Sequence, residues 1–237
     1  MKKEIPNLLT LGNLLAGCFG LYFIQQGEVL NASYMIFISL ICDFLDGFLA
    51  RLLHAYSAIG KELDSLADMV SFGVLPSFIL LHLVESSCGD ACLVGIGGIY
   101  KPFLVFSLAL MSAYRLAKFN VDTRQSDQFI GVPTPANGLL VASLPLIIHF
   151  QPEYSSYILH AQGLLIYSVV MSYLLVCELP LMAFKFKTWG WQENKLKFIF
   201  LIFCIAALLM LKFVAIPVLV IMYILLSGIQ TLKKTIK

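Results

Sequence analysis

The chain has 237 residues, 59% of them hydrophobic and 13% charged, with a mean hydropathy of +0.88 and a net charge of +2. Soluble domains carry about 25% charged residues, so this composition excludes one and describes an integral membrane protein. No basic stripe stands out, which excludes a nucleic-acid partner.

A membrane-crossing helix needs about 20 mostly apolar residues. Eight stretches approach that pattern, at 7–25, 31–53, 64–84, 99–119, 134–150, 158–183, 197–211 and 214–231. They predict one all-α, polytopic helix bundle over residues 1–237. The opening MKKEIPNLLTLGNLLAG has the basic start of a signal peptide. No small-residue cleavage site precedes Gln25, so it is expected as a retained first span. Cys88 and Cys92 share a short loop and could close a disulfide on an oxidising side, but the loop offers too few ligands for a metal. The last two stretches divide one long apolar run, with the break at Lys212 and Pro217; a single long tilted helix is the alternative.

Cytoplasmic loops carry the excess of Lys and Arg. With the N-terminus inside and eight alternating spans, only Lys101 and Lys212 of the sixteen Lys and Arg fall outside. This bias predicts both termini in the cytoplasm and an inner (cytoplasmic) membrane location. It also sets Arg51 to Lys61 at the cytoplasmic face.

That turn lies inside CDFLDGFLARLLHAYSAIGKELDSLAD, residues 42–68, which holds five of the fourteen acids. Intramembrane acids are expensive and usually face a polar cavity. Asp43 and Asp46 are three apart and share a face of span 2, continued by Gly47, Ala50 and Arg51. Gly60, Asp64 and Asp68 are four apart and share a face of span 3. A short turn joins the two helices, so four carboxylates should converge near the inner surface. Divalent cations bound by oxygen, Mg²⁺ or Mn²⁺, would relieve their repulsion. Two such metals are a known device for phosphoryl chemistry. Gly47 and Ala50 would let a ligand lie against the helix, and Arg51 can hold a phosphate bidentately. Polar glue between helices and a transporter ion site are the competing readings. Four acids with an Arg are a poor way to stabilise a bundle. A transporter should carry acids on distant spans in two related halves, whereas these occupy one hairpin.

The pattern Asp43-x2-Asp46-Gly47-x2-Ala50-Arg51-x8-Gly60-x3-Asp64-x3-Asp68 resembles the signature of the CDP-alcohol phosphotransferases, with all eight fixed positions filled. The resemblance implies transfer of a phosphatidyl-type group from a CDP-linked donor to an alcohol, with release of CMP. It implies that Asp43, Asp46 and Asp64 bind metal, that Asp68 is a ligand or the base for the attacking hydroxyl, and that the Gly47–Ala50–Arg51 segment receives the CDP part. IPNLLTLGNLLAG, DSLADMVSFGVLPS, YRLAKFNV and FIGVPTPA further resemble membrane-embedded bacterial phosphatidylserine synthases over roughly residues 5–150. Related phosphatidylglycerophosphate synthases are expected to show an Arg near position 13, where this chain has Asn13. The implied substrates are CDP-diacylglycerol and L-serine; glycerol 3-phosphate or an inositol phosphate is the alternative acceptor.

Serine is a zwitterion whose carboxylate wants a cation. Arg115 and Lys118, at the cytoplasmic end of span 4, are candidates, and Asn120 could add a hydrogen bond; topology charges snorkelling to the interface are the competing reading. Asn7, Thr10 and Asn13, three apart at the start of span 1, could line the nucleotide pocket or cap and pack the helix. Gly131, Pro133 and Pro135 read as a loop at the entrance to span 5. His54 reads as interfacial, and Glu178 as an intramembrane acid without an evident partner. A homodimer is left open.

Overall fold

The computed structural model describes residues 4–87, 100–122, 129–181 and 203–235. The chain is built from helices. α1 (Glu4–Gln25) turns at Gly27 into α2 (Val29–Leu52), and α3 (Ala58–Asp68) runs through a π-helical segment, Met69–Val74, into α4 (Leu75–Ser86). A 3-10 turn, Lys101–Phe106, leads into α5 (Ser107–Val121). α6 (Thr134–Phe150) is followed by the short α7 (Ser155–Ile158) and by α8 (Ala161–Val176). A helix over 203–211, here α9, meets α10 (Ala215–Thr235) through a 3-10 turn, Lys212–Val214. A two-residue antiparallel bridge pairs Phe129 with Leu181 and Ile130 with Pro180. The Cys88–Cys92 loop, the last two residues of the predicted 158–183 stretch and residues 197–202 of the predicted 197–211 stretch lie outside the described residues.

The Ala58–Ser86 unit is the central helix. Two thirds (67%) of its most apolar window is buried, against 28% for Glu4–Gln25, 33% for Lys101–Val121 and 11% for Phe203–Gly228. Phe72, Leu75, Ile79 and Leu80 of this helix are fully buried, and Ile36, Val105, Leu108 and Val141 pack into the same core. α1 and α5 both lie against the π segment, and α1 pairs along α2. Small residues permit the close approach expected of helices in lipid. A Cβ on Gly17 would sit 3.2 Å from Ser71 Cα, and one on Gly20 would run into Leu75. Large apolar side chains such as Leu8, Leu15, Phe44 and Leu110 are left exposed on the outside, where lipid rather than water is the natural contact.

Among the described residues four helices are long and apolar enough to cross a membrane, or five if the pair Pro152–Ile158 and Ala161–Val176, bent by 70°, counts as one. That is fewer than the eight predicted stretches. α6, with 17 residues, is short for a crossing, and Phe203–Gly228 forms one 26-residue candidate where two spans were expected. The expected break is nonetheless visible inside it. Lys212 takes a positive φ of 50°, and the freed amides of Phe213 and Val214 donate to Gln151 Oε1 at 3.1 and 3.3 Å, while Gln151 Nε2 donates to the Leu211 carbonyl at 3.2 Å.

The Gly131 loop is held tightly. Gly131 N donates to Leu179 O at 2.9 Å and Val132 N to Leu174 O at 3.0 Å. Gly131 has φ +75°, and a Cβ there would strike the Leu175 carbonyl. Left-handed backbone costs an L-residue about 1–2 kcal/mol, before that contact is counted. Gly131→Ala is therefore expected to lower the unfolding midpoint in detergent by about 2–8 °C. A thermal melt with an unchanged midpoint would show that the loop tolerates the side chain.

Candidate active site

The C-terminal end of α2, the N-terminal end of α3, the start of α1 and the end of α5 meet at one end of the bundle. Ser57 caps α3: in an extended conformation (φ −143°, ψ 150°), its Oγ accepts the Gly60 amide at 2.9 Å. This fixes the helix that carries Asp64 and Asp68 relative to the turn from α2.

Asp43, Asp64 and Asp68 each offer a carboxylate oxygen, all within 4.8 Å of one another. Asp46 stands near enough for its charge to act on all three. Its Oδ2 accepts a hydrogen bond from Thr10 Oγ1 at 2.6 Å. Asn13 Nδ2 donates to Asp68 Oδ1 at 3.0 Å. The four predicted acids are thus gathered by two antiparallel helices, and α1 supplies two of their hydrogen bonds. Among the described residues none of the four has a Lys or Arg at ion-pair distance. Crowded, poorly compensated carboxylate oxygens are the donor set a hard divalent cation prefers, so these residues fit the metal that the signature implies.

A cleft of about 210 Å³ opens beside the acids. Its walls include Asn7, Thr10, Gly47 and Ala50, all predicted for the nucleotide part, together with Gly60, Asp46 and Asp64. Gly60 is small for a visible reason: a Cβ would sit 2.9 Å from Ser57 Oγ and 3.0 Å from Asn7 Oδ1. Arg51 is exposed at the rim of α2, its Nε donating to Gly47 O at 2.9 Å. Asn13 and Arg51 do not line the cleft. Tyr56, Ser57 and Lys61 do, and sequence reasoning missed them. The S-x-x-G spacing of a helix cap was the available signal for Ser57.

The serine candidates separate. Arg115 is 7% exposed, its Nη1 is 3.5 Å from Thr134 Oγ1, and its charge reaches Asp68. Lys118 pairs with Glu178 at 3.4 Å, which gives the lone acid of span 6 a partner. Asn120 braces α3: its Nδ2 donates to Glu62 at 3.2 Å and to Ser65 at 3.0 Å, and its carbonyl accepts from Lys61 Nζ at 2.7 Å. His54 is exposed in the α2–α3 turn with φ 49°.

The CDP-alcohol phosphatidyltransferase family profile matches residues 3–175. The CDP-diacylglycerol–serine O-phosphatidyltransferase of Helicobacter pylori J99 is 38% identical over 144 residues, which are 60% of this chain and 57% of that protein. The Bacillus subtilis 168 protein of the same name is 31% identical over 144 residues, covering 59% of this chain and 74% of that one. The archaetidylserine synthase of Methanothermobacter thermautotrophicus is 28% identical over 171 residues, 70% and 68% of the two chains. The chain thus spans little more than half the length of the Helicobacter relatives it matches. The matched region contains the acidic hairpin, the α1 residues that hold it and Arg115, and the chain belongs to the CDP-alcohol phosphatidyltransferase family.

Proposed function

We propose that this protein transfers the phosphatidyl group of CDP-diacylglycerol to the hydroxyl of L-serine, giving phosphatidylserine and CMP. The observation that carries the reaction class is the convergence of Asp43, Asp64 and Asp68 beside a cleft walled by small residues of α2 and α3. The choice of serine rests on the names of the relatives and on Arg115, a buried cation whose charge reaches Asp68.

In this reading Asn7, Thr10, Gly47, Ala50 and Gly60 receive the cytidine diphosphate part, with Arg51 at its rim. The diacylglycerol tails stay in the bilayer. Asp68 takes the proton of the serine hydroxyl as the oxygen attacks the lipid-side phosphorus; the new P–O bond forms, the bond to CMP breaks, and CMP leaves. Asp43, Asp46, Asp64 and Asp68 would hold two divalent cations, Mg²⁺ or Mn²⁺, which supply charge neutralisation for the pyrophosphate. Asn13 orients Asp68. Arg115 faces the serine carboxylate, and Lys118 and Asn120 stand at the same helix end as further acceptor contacts, each held by another partner in the free protein.

The test is CMP release by the purified protein with CDP-diacylglycerol and a panel of alcohols. Serine should give the highest kcat/KM. Preference for glycerol 3-phosphate or an inositol phosphate would overturn the acceptor assignment and leave the reaction class standing.

The charge bias supports eight crossings, an inner-membrane location and a cytoplasmic site with both termini on that side. On a background without native cysteines, a cysteine at His54 should react with an impermeant reagent only from the cytoplasm, and one at Glu153 only from outside. Labelling of both from one side would refute that topology.

A further inference from the structure

Two buried side chains whose interactions reach Asp68, Asn13 and Arg115, each keep one polar atom without a hydrogen-bond partner among the described residues, one an acceptor and one a donor. Asn13 is fully buried. Its backbone carbonyl accepts from Ser39 Oγ at 3.2 Å and from Ser71 Oγ at 2.9 Å, so α1 is pinned at this point to both Asp helices. The Asn13 side chain turns Nδ2 toward Asp68, donating to Oδ1 at 3.0 Å. That leaves Asn13 Oδ1 unpaired. Arg115 approaches from α5, and its Nε is also unpaired. Leaving a buried donor or acceptor unmade costs about 1–3 kcal/mol, and more for a charged group. Neither residue lines the cleft assigned to the nucleotide.

We infer that these two atoms form an acceptor subsite for an α-amino acid: Asn13 Oδ1 takes the ammonium, Arg115 Nε takes the carboxylate, and Asn13 sets the preference for a zwitterionic alcohol. The inference rests on the reading above that Asp68 meets the acceptor hydroxyl. In serine three bonds separate the hydroxyl oxygen from the nitrogen. A hydroxyl at Asp68 therefore brings the ammonium among the immediate neighbours of that carboxylate, and Asn13 is hydrogen-bonded to it. A glycerol 3-phosphate or an inositol phosphate offers no ammonium to fill Oδ1. Sites built to hydrogen-bond a substrate group reject analogues that lack it far more strongly than apolar pockets do.

The experiment uses the full chain in nanodiscs with CDP-diacylglycerol and three acceptors: L-serine, 3-hydroxypropanoate, which lacks the ammonium, and ethanolamine, which lacks the carboxylate. Wild type should favour serine over each analogue by about 10²-fold or more in kcat/KM. Asn13→Ala should cut the serine to 3-hydroxypropanoate ratio at least tenfold and leave the serine to ethanolamine ratio in place. Loss of the Asn13 brace on Asp68 slows every acceptor alike and cancels in the ratio. Asn13→Leu, close in shape, gives the same readout if the alanine variant does not fold. Arg115→Gln should show the opposite pattern. An unchanged ratio in the Asn13 variants overturns the inference, as does wild-type turnover of 3-hydroxypropanoate equal to that of serine. A fall in Mn²⁺ affinity with an unchanged ratio would assign Oδ1 to the metal instead, also overturning it. Failure of wild type to use serine at all is a separate outcome and defeats the serine reading before any variant is made.

Discussion

Asp68→Asn should still bind CDP-diacylglycerol and Mn²⁺ and yet turn over about 10² to 10⁴ times more slowly, the usual effect of removing a general base. The geometry explains the separation. Asp64 lines the cleft beside α2 and Asp68 does not, although Asp43, Asp64 and Asp68 share one cluster of oxygens. Asp68 is only 6% exposed, at the last position of α3, and Asn13 holds one of its oxygens. The amide substitution keeps the side chain's shape and one oxygen ligand. What it loses is the capacity to accept a proton from the acceptor. A residue acting only in the transition-state step lowers kcat while ground-state binding is spared. Equilibrium binding measured beside turnover separates this from simple loss of a ligand. Near-normal turnover by Asp68→Asn would mean that the proton leaves by another route.

The acidic hairpin was legible because helix periodicity alone places Asp43 beside Asp46 and Asp64 below Gly60. The Ser and Gly spacing likewise encodes the cap that orients α3. What periodicity does not carry is pairing across distant segments. Lys118 finds Glu178, 60 residues away, and Asn120 finds Glu62 and Ser65, more than 50 residues away. Their sequence neighbourhoods say nothing of those partners, so for Lys118 a topology-charge reading and a substrate reading both stayed open, the first favoured. The π segment was hidden for a different reason. MVSFGV is apolar like the LPSFILL that follows it, and one wider turn leaves no mark in composition. Yet π-bulges often sit at functional sites, and this one follows Asp68 directly and joins it to Phe72 and Leu75 in the core. Crossing number was not legible from apolarity, which fixes burial or lipid contact and not direction. The run at 134–150 is apolar and helical, but it is a short helix buried along most of its length.

Chelation should abolish activity, and added Mg²⁺ or Mn²⁺ should restore it. The argument starts from what is missing around the acids. A buried carboxylate is costly unless it is paired, hydrogen-bonded or bound to a metal. Here three carboxylate oxygens crowd within 4.8 Å, and the hydrogen bonds from Thr10 and Asn13 serve only Asp46 and Asp68. The pyrophosphate of a CDP-lipid would bring further negative charge into the same cleft. Polar glue between helices would need no ion and would be insensitive to a chelator. Asp43→Asn and Asp64→Asn separate the readings further. Each removes one anionic ligand, so each should weaken Mn²⁺ binding and shift the metal requirement of turnover to higher concentration, with partial rescue at high metal. The same substitutions would relieve repulsion if the acids were only structural, and the melting temperature would rise without any change in metal response. Full turnover in chelated, metal-free buffer would remove the metal from the mechanism and leave the acidic cluster without its present explanation.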